Sequence, residues 1–82
     1  MNASEIVERA REIYESQLRA NVEPGNHGRY IVIDINSADY AVGDDYVDLT
    51  DDLRSRHTDP LLATLRIGYR AVGKVGGQVR PA

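Results

Sequence analysis

The sequence predicts an α+β fold: an N-terminal amphipathic helix followed by a β-β-α-β-β unit that forms a small, mainly antiparallel sheet. Three observations carry this. An apolar stripe recurs every three to four residues over 3–20, β-branched residues crowd positions 30–35, and residues 61–69 alternate apolar and polar. At 82 residues the chain has room for one domain with one modest core, because a chain this short buries only about 60% of the surface its unfolded form exposes. The expected layout is a single domain over 1–82, with the helix at 3–20, the ββαββ core at 29–79 and a frayed tail at 80–82.

In the first segment Ile6, Val7, Ala10, Ile13, Tyr14 and Leu18 form one stripe, while Glu5, Glu8, Arg9, Arg11, Glu12, Glu15 and Arg19 take the other face. Asn2 with Glu5 three residues on has capping-box spacing, with Asn in place of the usual Ser or Thr. Glu5–Arg9 and Glu15–Arg19 have the favourable order for pairs four residues apart. Pro24, Gly25, Asn26 and Gly28 then impose a loop of about nine residues. Tyr30-Ile31-Val32-Ile33-Asp34-Ile35 is the strongest strand signal, and because both of its faces carry apolar groups it reads as a central strand covered on both sides.

Asn36-Ser37-Ala38-Asp39 has turn composition, and Tyr40-Ala41-Val42 returns as the second strand of a hairpin ended by Gly43. Asp44 or Asp45 caps a second helix running to about His57, with Tyr46, Val47, Leu49 and Leu53 as its buried positions. Acids in its first turns and Arg54, Arg56 and His57 in its last match the helix dipole. Beyond Thr58-Asp59-Pro60 a third strand over 61–69 places Leu61, Ala63, Leu65, Ile67 and Tyr69 on one side and Leu62, Thr64, Arg66 and Gly68 on the other. Arg70 to Val79, interrupted by Gly73, Gly76 and Gly77, reads as a bulged fourth strand at an edge.

Charge is sorted along the chain although the net value is only -3. Residues 1–29 carry five Glu against four Arg, residues 30–52 seven Asp and no Lys or Arg, and residues 53–82 five Arg and one Lys against Asp59 alone. Such blocks steer partners or pair with each other, within one domain or across a dimer. With no cysteine, disulfides and thiolate metal sites are excluded, and oligomerisation or a partner is the remaining external support for a small core. Neither a signal-peptide pattern at Met1-Asn2-Ala3-Ser4-Glu5 nor an apolar run of about 18 residues is present, and the expected location is the cytoplasm.

His27-Gly28-Arg29-Tyr30-Ile31-Val32-Ile33-Asp34-Ile35, Asp39-Tyr40-Ala41-Val42-Gly43-Asp44-Asp45, Leu65-Arg66-Ile67-Gly68-Tyr69 and Gly76-Gly77 together resemble a group of short prokaryotic proteins without an established activity. Its members look like strand-strand-helix-strand modules encoded in small operons, some beside aspartic-protease-like or toxin-like neighbours. The similarity spans residues 5–79 and departs from the group's pattern at Arg70, where proline is common, and at Gly73, where an aromatic residue is. It implies an accessory or antitoxin-like role, and no catalytic residue.

Candidates for chemistry are few. His27 in a Gly-rich loop and His57 at a helix end both read as structural, and no serine or threonine has a histidine at motif spacing. Asp44, Asp45, Asp48, Asp51 and Asp52 read as a solvated helix face, since calcium loops need a turning backbone that aims oxygens inward. Gly73-Lys74-Val75-Gly76-Gly77 lacks the spacing and the following helix of a phosphate loop. The expected function is therefore a non-enzymatic protein-protein interaction module without a cofactor or metal, a homodimer or an accessory partner of a neighbour-encoded protein. Its interface is expected on Ile6, Ala10, Ile13, Tyr14 and Leu18, with Tyr69 and Val75. The alternative is a nucleic-acid-binding regulator that uses Arg66, Arg70 and Lys74 of the basic C-terminal half, a set that also draws in Arg54, Arg56 and Arg80.

Overall fold

A computed structural model of the chain describes residues 1–69. The helical rod comprises α1 (Ala3–Ile13), a wide π turn over Tyr14–Leu18 and α2 (Arg19–Val22); it is followed by β1 (Tyr30–Asp34), β2 (Tyr40–Gly43), α3 (Tyr46–Arg56) and β3 (Leu62–Arg66). The class is α+β. The β-β-α-β-β order is corrected to β-β-α-β among the described residues, with three antiparallel strands in the order β2-β1-β3. The fourth strand expected over 70–79, and the tail at 80–82, lie outside the described residues. Among those described, no helix is long and apolar enough to cross a membrane.

The start of α1 is fixed by a reciprocal capping box: Glu5 N–H donates to Asn2 Oδ1 at 2.9 Å and Asn2 N–H donates to Glu5 Oε1 at 3.0 Å. The π turn explains why one rod stays buried for so long. Apolar residues at Tyr14, Leu18 and Val22 step by four, and each such step drifts by about 40° around an ideal helix of 3.6 residues per turn. One wide turn, in which Arg19 N–H reaches back five residues to Tyr14 C=O, offsets that drift and keeps Leu18 and Val22 on the inner face. The rod consequently ends at Val22, two residues beyond the expected boundary. Glu15 pairs with Arg19 at 2.9 Å as its spacing predicts, whereas Arg9 lies 3.9 Å from Glu12.

Strand register assigns the two sheet faces. Ile31 sits opposite Val42 and Leu65, and Ile33 opposite Tyr40 and Ala63. This set shares a core with Ala10, Ile13, Tyr14, Leu18, Val22 and Ile67 under the helical rod. The other face carries Tyr30, Val32, Ala41 and Gly43, and α3 lies on it against β1 and β2. Gly43 belongs to β2, paired with Tyr30, and its bare backbone lets Leu49 of α3 approach closely: a Cβ there would stand 3.1 Å from Leu49 Cδ2. Of the α3 positions expected inside, Leu53 is buried and Leu49 half-buried. Tyr46 and Val47 are instead 50% and 54% exposed, at a first turn that overhangs the sheet end.

The expected interface stripe has a different use. Ala10, Ile13, Tyr14 and Leu18 are no more than 8% exposed and form the main core, with Ile6 half-buried against it, so the stripe is covered by the chain's own sheet. Ile13→Asp would therefore disrupt the fold of each molecule and would not report on a dimer. β3 is also shorter than expected. It stops at Arg66 because Gly68, at φ +86°, turns the chain and lets Tyr69 N–H donate to Arg66 C=O at 3.2 Å. Tyr69 is thereby removed from the Leu65–Ile67 face and brought over Arg66.

Candidate functional site

Polar groups gather at both ends of the sheet. At one end β1 finishes in Asp34, only 2% exposed, which accepts from Ser37 Oγ at 2.8 Å and from the amides of Leu61 at 3.0 Å and Asn36 at 3.1 Å. Beside it, Asp39 Oδ2 lies 2.9 Å from an Arg56 η nitrogen and 2.8 Å from His57 Nε2, tying the end of α3 to the hairpin turn. Burial alone would raise the Asp34 carboxyl, but the accepted hydrogen bonds and the His57 charge outweigh it and hold it below the usual carboxylate range. Asp39 is held low chiefly by its hydrogen bond to His57, against a smaller opposing effect of burial. The hydrogen bonds and ion pairs of this cluster fix turns and a helix end. Its chemistry is structural.

A shallow, open depression of about 500 Å³ lies along the helical rod, lined by Glu15, Arg19, Ala20, Glu23 and Pro24. Arg19 bridges Glu15 at 2.9 Å and Glu23 at 3.1 Å, and the Tyr14 hydroxyl donates to Glu23 at 3.0 Å. Burial and the neighbouring Glu23 push the Tyr14 hydroxyl far above its ordinary pKa, so it stays a neutral donor. The charges of this depression are paired among themselves and leave no group aimed at a ligand.

The opposite end of the sheet is built differently. Tyr30 and Arg66 are directly opposed across β1 and β3, so they emerge on the same face, the one on which α3 packs against β1 and β2. The Arg66 guanidinium carbon lies 5.5 Å from the centroid of the Tyr30 ring and 5.0 Å from that of Tyr69, both within cation–π range. Its Nε–H donates to Gly28 C=O at 3.1 Å. Tyr30 meets Tyr46 edge-on at 5.4 Å, and His27 stacks on Tyr69 at 5.5 Å. Among the described residues no carboxylate lies within ion-pair distance of Arg66.

Of the residues expected to act, the structure brings Arg66 and Tyr69 together and places Ile6, Ala10, Ile13, Tyr14 and Leu18 in or against the core. Arg70, Lys74 and Val75, with Arg80, lie outside the described residues. Arg56 is committed to Asp39 and Asp52. Asp44, Asp45, Asp48, Asp51 and Asp52 stand exposed along the start and outer side of α3, and among the described residues no three carboxylate or imidazole groups converge as a metal site. Reasoning from sequence missed Tyr30, Tyr46 and His27 as companions of Arg66. The strand register could have exposed the first, since Tyr30 and Arg66 each stand at the same end of a strand. The other two depend on the angle of α3 and on the Gly68 turn.

Gly68 holds this patch in place, which gives a direct test. Its positive φ is costly for any other residue, and a Cβ there would collide with the His27 imidazole. Gly68→Ala is expected to destabilise the protein by about 1–2 kcal/mol in urea unfolding and to break the His27–Tyr69 stack, seen as a shift of the His27 ring protons. Gly25→Ala, at φ +81° with open space around it, carries the backbone cost alone and should leave those protons where they are. No family model, curated protein or solved structure matches the chain, so no residue role is carried over from a relative.

Proposed function

We propose that the chain is a small non-enzymatic protein-interaction module, either self-associating or serving as the accessory partner of another protein. In this reading its contact surface is the Arg66, Tyr30, Tyr69 and Tyr46 patch with Val47. The observation that carries the reading is an exposed arginine stacked against two tyrosines, one of which meets the exposed Tyr46 of α3 edge-on. Tyrosine and arginine are the residues over-represented at protein contacts, because each supplies a large area and directed hydrogen bonds at little entropic cost. The contact thus moves from the face of α1 to the opposite face of the sheet. A fourth strand over 70–79 is part of the same proposal.

The test is site-specific photocrosslinking in the native cell. A benzophenone side chain at position 46 is expected to crosslink to protein, a second copy or another chain, and the same probe at exposed Glu8 on the far side is not. Equal labelling at both positions, or none at 46, would overturn the reading. The stacked rings beside Arg66 also suit an unpaired nucleobase, which favours nucleic acid as the second reading. Crosslinking at 46 to RNA or DNA in place of protein would establish it.

A further inference from the structure

We infer that Arg66 is an anchor for a single carboxylate presented by the partner, an Asp or Glu side chain flanked by apolar residues; this rests on the patch being a protein contact. Stacking against Tyr30 and Tyr69 and the bond from Nε–H to Gly28 C=O fix the plane of the guanidinium and use one of its donor positions. The η nitrogens then form an edge of parallel N–H groups, and that edge matches the two oxygens of a carboxylate. No carboxylate among the described residues takes it, although the chain is acidic overall and two other arginines at the sheet ends are paired: Arg29 with Asp44 at 3.1 Å, Arg56 with Asp39 and Asp52. A desolvated cation left unpaired would be costly; an oriented, exposed one beside apolar surface is ready for an external anion.

The surroundings select the kind of anion. Tyr46, edge-on to the Tyr30 ring on which the guanidinium stacks, offers exposed apolar area near it, so a carboxylate with a hydrophobic neighbour gains contacts that a free ion does not. Asp45 stands exposed immediately before Tyr46. It opposes a polyanion that must pass along the patch more than it opposes one charge seated at Arg66. Nucleic acid needs a track of cations, and Arg29, the nearest described candidate, is already paired with Asp44 and bonded to Asn26. Residues 70–82 contain no Asp or Glu, so that part of the chain has no side-chain carboxylate to fill the site itself.

The experiment is an NMR titration of the full chain with a capped peptide, acetyl-Val-Glu-Tyr-Val-amide, its Gln counterpart, and a thymidine dinucleotide, followed at the Arg66 Nε–H and the Tyr30 and Tyr69 rings. The Glu peptide is expected to give saturable shifts at these groups, and the Gln peptide to bind at least about tenfold more weakly. Arg66→Lys, which keeps the charge and loses the fork, is expected to reduce affinity for the Glu peptide to that of the Gln peptide. Equal affinity of the two peptides overturns the anchor without relying on any protein variant. Dinucleotide binding as tight as that of the Glu peptide overturns it in favour of nucleic acid. Carboxylate-specific binding without a crosslink at position 46 removes the protein contact and leaves an anion site, whereas a crosslink with equal peptide affinities leaves the contact and removes the anchor.

Discussion

Ile33→Ala is expected to cost about 2–5 kcal/mol, the range for removing most of a branched side chain from a packed interior. Ile33 is fully buried in the central strand, opposite Tyr40 on one side and Ala63 on the other, and it faces the underside of the helical rod. With a strand paired on each side and a helix above, the neighbours cannot collapse into the space without breaking ladder hydrogen bonds. Domains of this size have a net stability of roughly 0.05–0.15 kcal/mol per residue, so the loss is a large part of the total. Urea unfolding at 25 °C checks it, with Ile33→Val expected to cost only about 0.5–1.5 kcal/mol. A small loss for the alanine variant would mean that the helical rod is not packed on this face.

The same packing shows why much of the fold was legible in the sequence. The stripe over Ile6–Leu18, the β-branched run at 30–35 and the alternation after Leu61 are each strong because the sheet is covered by a helix on both faces, and a side chain's destination follows from its position alone. What the local pattern could not supply was the destination of α1's stripe. An amphipathic face has the same sequence whether it is covered by its own sheet or by a neighbour. Here Ile13 and Tyr14 are covered from within, in the core beneath the helical rod. Boundaries missed by a residue or two have local causes: the π turn carries the rod to Val22, and Gly68 cuts β3 short at Arg66.

The patch was legible only in part for a related reason. Arg66 is one of the cations singled out from the sequence, and among the described residues no carboxylate pairs with it. Its partners come from a loop, a strand, a helix start and a turn, and no spacing along the chain connects His27, Tyr30, Tyr46 and Tyr69. Two of them are set by tertiary geometry: Tyr46 by the close approach of α3 over Gly43, and Tyr69 by the left-handed backbone at Gly68. Part of the charge segregation read from the sequence is spent within the fold, some of it locally and some across the chain. Asp45 caps α3, Asp52 and Asp39 hold Arg56, and Asp44 holds Arg29.

Asp34→Ala should be nearly as damaging as the core truncation, at about 2–4 kcal/mol, for an electrostatic reason rather than a steric one. The substitution removes the acceptor of the Leu61 amide, the Asn36 amide and the Ser37 hydroxyl in one step. Leu61 leads into β3, so the lost bond loosens the join between the hairpin turn and that strand. Asp34→Asn keeps one acceptor oxygen for the two amides and is expected to cost less. The carboxylate also makes stability depend on pH. Asp34 and Asp39 are both held below the ordinary value of about 3.9, so the folded state binds their protons more weakly than the unfolded state does. Their contribution is complete above that value. It drains away as pH falls below about 4 and continues to fall until the folded-state carboxyls are protonated in turn. In Asp34→Asn only Asp39 remains to titrate, so the slope of unfolding free energy against pH below 4 should flatten while the plateau near neutrality drops. A variant as acid-sensitive as the wild type would show that Asp34 is not held low by its three donors.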